Sequence, residues 1–218
     1  MGVKGDGRRP FQRALKPFFR AFFRLCARIR KQGFENLPPP PYILFCNHLS
    51  WFDPPLVACF MPEPVYIMAM AGLFRPLPLG FLLRRLGAIP VSRGSLDRRA
   101  IEEATGVLAA GGVLLIFPEG GIRRIERGEP LKPGLSLIAQ RTNVPLVPVG
   151  VAGCRDLYRP LKMLRRGVRL TVRVGKPFTL SSVSNQAGKK MRMAVMGRVR
   201  DDLCALAGGG GARFAVQR

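Results

Sequence analysis

The stretch NHLSWFD, Asn47 to Asp53, holds the only histidine of a 218-residue chain, and an aspartate follows that histidine five positions later. A carboxylate set against one imidazole nitrogen fixes the tautomer and leaves the other nitrogen free to take a proton, so His48 and Asp53 have the parts of a general base. Polar Asn47 and Ser50 stand beside them. A second cluster, FPEGGIRR from Phe117 to Arg124, predicts a turn at Glu119, Gly120 and Gly121 whose backbone N–H groups face a ligand, with Arg123 and Arg124 as cations for a phosphate. The third, GAIPVSR, again ends on a cation, Arg93. A lone histidine is commonly a structural imidazole, and Ser50 and Cys46 leave a local Ser50–His48 dyad open as a covalent route. No GxSxG elbow occurs in the chain.

Geometry limits how the first pair can meet. Residues five apart on one helix point about 140° away from each other, so His48 and Asp53 converge only if 48–53 form a turn. Pro54 and Pro55 supply the reason for one: a residue before proline is biased out of the helical region, and prolines suit a helix's first turn. A helix is therefore expected to start just after Asp53. Upstream, YILFC (Tyr42 to Cys46) is a short apolar run that follows the prolines of 38–41 and reads as a buried strand.

Further strands are predicted at VYIMA (65–69), AIPV (88–91), VLLIF (113–117), PLVPVGV (145–151) and RLTVRV (169–174). Helical patterns lie between them at about 77–86, 95–110 and 134–141. Alternation of this kind predicts a single α/β domain with a mixed, largely parallel central sheet flanked by helices. All three chemical clusters then fall at C-terminal strand ends, where α/β proteins tend to bind ligands. A C-terminal helix is expected from about Asn185 to Leu206, followed by a flexible tail over 207–218 that begins with the GGGG of 208–211.

At the N-terminus, Phe11, Leu15, Phe18, Phe19, Phe22, Phe23, Cys26 and Ile29 recur at helical spacing among arginines and lysines. This is a basic amphipathic pattern, suited either to core packing or to a membrane interface. Pro17 should kink or divide it. The 36 Lys and Arg against 13 Asp and Glu give a net charge of +23, which attracts nucleic acid, anionic lipid, an acidic carrier protein or phosphorylated substrates. Hydrophobic residues make up 47% of the chain, too many for a disordered basic tail. The five scattered cysteines have no CxxC pair and read as reduced thiols in a cytosolic compartment. No apolar run reaches the roughly 18 to 20 residues that cross a bilayer, and no secretory leader pattern is present.

Taken in order, these blocks resemble the glycerolipid acyltransferases of the PlsC type, especially 1-acylglycerol-3-phosphate acyltransferases. Asn47, His48, Ser50 and Asp53 match NHxSxxD; Gly87, Ile89 and Arg93 match GxIxxxR; FPEG matches the start of the family's FPEGTR block; VPLVPV (144–149) resembles its fourth block. Where the family has Thr-Arg after Glu-Gly, this chain has Gly121 and Ile122, with Arg123 one position later.

The resemblance implies transfer of a fatty acyl group from acyl-CoA or acyl carrier protein to the free hydroxyl of 1-acylglycerol 3-phosphate. It makes His48 the base, oriented by Asp53. Asn47, Ser50, Arg93, Glu119, Gly120, Gly121 and Arg123 are then the substrate-binding set, with no metal or bound cofactor. The chain divides accordingly into a membrane-interface helix (1–36), an acyltransferase domain (37–206) and the tail. Expected partners are membrane phospholipids and a lysophospholipid acceptor, with no nucleic acid. The expected location is the cytoplasmic face of a membrane, the bacterial inner membrane. Another lysophospholipid or glycerol 3-phosphate as acceptor, a thioesterase or lipid hydrolase using the same base on water, and a non-catalytic basic binding module remain as alternatives.

Overall fold

The computed structural model describes residues 8–92, 96–159, 167–183 and 188–207. Among these residues seven strands form one sheet: β1 (Ala27–Gln32), β2 (Tyr42–Cys46), β3 (Val65–Met70), β4 (Ile89–Val91), β5 (Val113–Ile116), β6 (Leu146–Ala152) and β7 (Val168–Val174). The spatial order is β1-β7-β6-β2-β5-β3-β4. All neighbours run parallel except β6 and β7. Among the described residues the helices are α1 (Arg8–Cys26), α2 (Asp53–Phe60), α3 (Leu77–Arg85), α4 (Arg98–Ala109), α5 (Gly134–Thr142), the four-residue α6 (Leu180–Val183) and α7 (Gly188–Ala207).

Parallel strands buried on both faces need continuous apolar sequence, and β2 meets that demand with five buried residues, YILFC. Alternation splits its side chains between two cores. Tyr42, Leu44 and Cys46 join Phe23 of α1 and Leu56, Val57 and Phe60 of α2; Ile43 and Phe45 join Ile101 of α4, Ile138 of α5 and Val199 of α7. Strand β2 lies between β5 and β6, with Leu44 opposite Leu115 on one side and Val147 on the other. Because all three run parallel, their C-terminal ends open at one edge of the sheet, and the segments leaving them are brought together there.

The N-terminal pattern needs correction. It was expected to stay helical through Ile29, but the helix ends at Cys26 and Ala27–Gln32 form the edge strand β1, paired in parallel with β7 from Ala27↔Val168 to Gln32↔Arg173. The segment ARIRKQ satisfies helical spacing locally, and pairing with a neighbouring strand overrides that preference. Its arginines and lysine suit an edge strand, where charge discourages pairing with other chains. Helix α1 also runs through Pro17 rather than dividing there. Part of its aromatic face is core, since Phe23 is fully buried and Phe19 and Phe22 pack against it. The expected start of the C-terminal helix at Asn185 and the tail after Ala207 lie outside the described residues. No helix among those described is long and apolar enough to cross a membrane.

Candidate active site

Beyond Cys46 the chain turns back on itself before α2 begins. The Asp53 N–H closes this turn on the Ser50 carbonyl at 3.2 Å. Asp53 then opens α2, followed by Pro54 and Pro55 in the first turn. Its fully buried carboxylate collects the donors of the turn: Oδ2 accepts from the backbone N–H of Leu49 at 2.5 Å and Ser50 at 2.7 Å, and stands 3.0 Å from His48 Nδ1. An ionised carboxylate only accepts, so Nδ1 carries the proton and Nε2 is the basic nitrogen. The start of α2 adds a favourable dipole for the negative charge. The imidazole lies against the Phe117 ring at 4.4 Å between centroids, leaving the His48 side chain 13% exposed.

The neighbouring polar residues hold this turn in place. Asn47 is buried and pairs with the backbone of Val151 in both directions, donating from Nδ2 to its carbonyl (3.0 Å) and accepting its N–H at Oδ1 (2.8 Å). Its amide thus acts like one more peptide rung between β2 and β6. The fully buried Ser50 hydroxyl donates to Asp53 Oδ1 at 3.4 Å and accepts the Phe52 N–H at 3.0 Å. It is spent inside the turn, which removes the Ser50–His48 dyad. Burial pushes the Cys46 thiol well above its ordinary range, with Asp53 and Glu119 adding to the effect, so it offers no thiolate. Burial likewise raises Cys154, with the charge of Asp53 adding to the effect.

Glu119 has the same supporting character. It is buried, and its two oxygens accept the backbone N–H of His48 at 2.8 Å and of Ile125 at 2.9 Å. Burial raises its pKa, while those amide bonds oppose the rise. A second stitch runs the other way, from the Arg123 N–H to the His48 carbonyl at 2.6 Å. Arg123 makes it from a left-handed φ of 61°, uncommon for a side-chain-bearing residue. His48 is therefore clamped at both its N–H and its carbonyl by the turn after β5. Gly120 turns at φ 64°, and its N–H closes on the Phe117 carbonyl instead of facing a ligand.

His48, Gly120 and Gly121 line one cleft of about 1270 Å³. Its larger part is apolar, walled among others by Leu15, Phe19, Ala58, Ile67, Met68 and Leu83; its polar part contains Arg124, Arg127, Glu129 and Lys132. Glu129 is taken up by Arg124 and by Arg127, the latter at 3.1 Å. The Lys132 side chain passes over Gly120, where an added Cβ would meet its Cγ at 3.0 Å, and it has no ion-pair partner among the described residues. Arg123, the expected cation, does not line the cleft; its side chain is 53% exposed and pairs with Glu126 at 2.8 Å. Arg93 lies outside the described residues.

Sequence reasoning overlooked Phe117 as the imidazole's neighbour and Lys132 as a cleft cation. The signal for Phe117 was its place at the end of β5. Lys132 gave none, because a backbone bond from its N–H to the Pro118 carbonyl (2.7 Å) brings it over the turn. Among the described residues no cluster of His, Cys, Asp or Glu is arranged to hold a metal.

Comparison with known proteins bears on this arrangement. The profile of the family described as Acyltransferase matches residues 28–152. A 1-acyl-sn-glycerol-3-phosphate acyltransferase of Bacillus subtilis is 32% identical over 134 residues, which cover 59% of this chain and 66% of that one. A lyso-ornithine lipid O-acyltransferase of Pseudomonas aeruginosa is 29% identical over 202 residues, covering 80% of this chain and 76% of its own length. The crystal structure of the 1-acyl-sn-glycerophosphate acyltransferase PlsC from Thermotoga maritima superposes with a TM-score of 0.66 at 23% identity, over 93% of this chain and 81% of the other. At that identity the superposition speaks for the fold.

Proposed function

Because the chain belongs to the Acyltransferase family, we propose that it is an O-acyltransferase. In this reading it moves a fatty acyl group from acyl-CoA or acyl carrier protein to the free hydroxyl of 1-acylglycerol 3-phosphate, giving phosphatidic acid. The observation that carries the reading is the His48 Nδ1–Asp53 Oδ2 contact of 3.0 Å at the wall of a largely apolar cleft. Nε2 of His48 takes the proton of the acceptor hydroxyl as its oxygen attacks the thioester carbonyl. Asp53 stabilises the imidazolium that forms. Collapse of the tetrahedral intermediate expels the thiolate, which recovers the proton from Nε2. A base of this kind contributes about 10²- to 10⁴-fold in rate, and positioning of the two substrates supplies much of the rest. The thioester arrives activated, so the reaction calls on no metal or bound cofactor.

The apolar walls suit an acyl chain, and Lys132, with Arg124 and Arg127 beside it, is the group we assign to the acceptor's phosphate. Asn47, Ser50 and Glu119 support the base instead of touching substrate, since their polar atoms are engaged by the turn. Attachment to the cytoplasmic face of the bacterial inner membrane would place acceptor and product within reach. The Pseudomonas relative, aligned over most of this chain, is named for a lyso-ornithine lipid, so that acceptor belongs in the test.

Labelled acyl-CoA and acyl carrier protein are offered in turn to 1-acylglycerol 3-phosphate, glycerol 3-phosphate, lyso-ornithine lipid and other lysophospholipids. Wild type is compared with His48→Ala and Asp53→Asn. Transfer to acylglycerol phosphate, reduced about 10²-fold or more in both variants, is the expected result. Wild-type rates in both variants would refute the base. Loss of thioester without an acylated acceptor would make the protein a hydrolase.

A further inference from the structure

Helix α3, LPLGFLLRR, has two apolar faces and no acidic residue. Leu79 and Leu83, with Leu86 just beyond the helix, line the cleft. Gly80 seats the helix on the Phe74 carbonyl so closely that a Cβ would stand 2.3 Å from it. The opposite face carries Leu77, 86% exposed, and Phe81, 65% exposed. A helix packed on a soluble core turns polar residues to water on that side, and contiguous exposed apolar surface marks an interaction site.

The surroundings specify the partner. Arg84 and Arg85 are exposed and fall on this face by their helical spacing, and neither is ion-paired among the described residues. The Arg85 guanidinium lies 5.6 Å from the exposed Phe81 ring, so cation and apolar group are presented together there, and that of Arg84 lies 5.7 Å from the ring of the buried Phe74. A bilayer with anionic headgroups offers acyl chains for Leu77 and Phe81 and negative charge for the arginines. Helix α1, whose pattern first pointed to a membrane, leaves only Phe18 and Leu25 exposed among its large apolar side chains.

We propose that the outer face of α3 enters an anionic bilayer beside the cleft, with Leu77 and Phe81 inserted and Arg84 and Arg85 at the headgroups. Lipid acceptor and acylated product then exchange between bilayer and cleft along α3. This rests on the acyl-transfer reading for its purpose but not for its test, because vesicle binding is read without turnover. Full-length wild type, Leu77→Ser/Phe81→Ser and Arg84→Gln/Arg85→Gln are sedimented with phosphatidylcholine vesicles, with and without phosphatidylglycerol.

Wild type should bind the anionic vesicles. The serine variant should bind about tenfold more weakly or worse, given the transfer energies of Leu and Phe, and the glutamine variant should bind the phosphatidylglycerol vesicles about tenfold more weakly while its weak binding to phosphatidylcholine alone stays as in wild type. Circular dichroism and transfer between a short-chain thioester and a water-soluble acceptor should be unchanged in the serine variant, since neither residue lines the cleft. Wild type that ignores the vesicles, or a serine variant that binds as tightly, overturns the proposal. So does a wild-type dimer that the serine substitutions make monomeric, because the face would then belong to a second copy of the chain.

Discussion

Replacing Glu119 with Gln separates a residue that holds the base from one that binds acceptor. The carboxylate accepts two buried backbone N–H groups, His48 at 2.8 Å and Ile125 at 2.9 Å. A glutamine keeps one acceptor and turns its NH₂ toward the other N–H, so one charge-assisted bond becomes a donor facing a donor. Such bonds are worth about 1.5–3 kcal/mol each, and an unmet buried donor costs a similar amount. Relief of the buried charge, which burial already disfavours, offsets part of this. A net loss of about 3 kcal/mol lowers the melting temperature by about 10 °C in a chain of this length. Displacement of the His48 loop by about 1 Å should cut kcat by about 10²-fold, with the acceptor KM near wild type. Thermal melts and steady-state kinetics with a water-soluble acceptor read both quantities. Glu119→Asp, too short to span both amides, should lose kcat as well despite keeping the charge. A large rise in acceptor KM, with kcat and melting temperature intact, would refute the clamp and return Glu119 to the substrate.

Three further outcomes follow from described contacts. Asn47→Leu strands the N–H and carbonyl of Val151, and should lower stability by about 3 kcal/mol in urea unfolding. Lys132→Ala should raise KM about tenfold for a phosphate-bearing acceptor, about the worth of one charged contact, while leaving KM for an uncharged acceptor unchanged. Lys16 is held by the carbonyls of Met61 at 2.9 Å and Pro62 at 3.3 Å, and burial lowers its pKa from 10.5 to about 8. The unfolded chain then binds more protons between those values, so Lys16 makes stability rise with pH from about 8 to about 10.5; Lys16→Met should lack this component when urea unfolding is compared across that range.

Strands β2 to β7 were legible because each is an apolar or alternating run bounded by turn residues, a signal contained in the segment itself. So was the turn between His48 and Asp53, since residues five apart can meet in no other way; the two prolines marked where α2 begins, although Asp53, expected just before that helix, is its first residue. Strand β1 was not legible: its ARIRKQ fits a helix until β7 is beside it. Asn47 and Glu119 were found as polar residues of the site but assigned to substrate, because their partners, Val151 and Ile125, are set by tertiary pairing. The shift of the cleft cation from Arg123 to Lys132 was hidden for the same reason, as a turn decides which side chains face inward.

The clamp on His48 also bears on redesign of this enzyme. The turn that departs from the family pattern at Gly121 and Ile122 is bonded to both the N–H and the carbonyl of His48, through Glu119 and through Arg123 at φ 61°. A loop grafted there inherits the task of aiming His48, the residue we propose as the base. Such grafts would show up first as slow enzymes with unaltered affinity, and the useful ones would be those that preserve a left-handed residue at position 123.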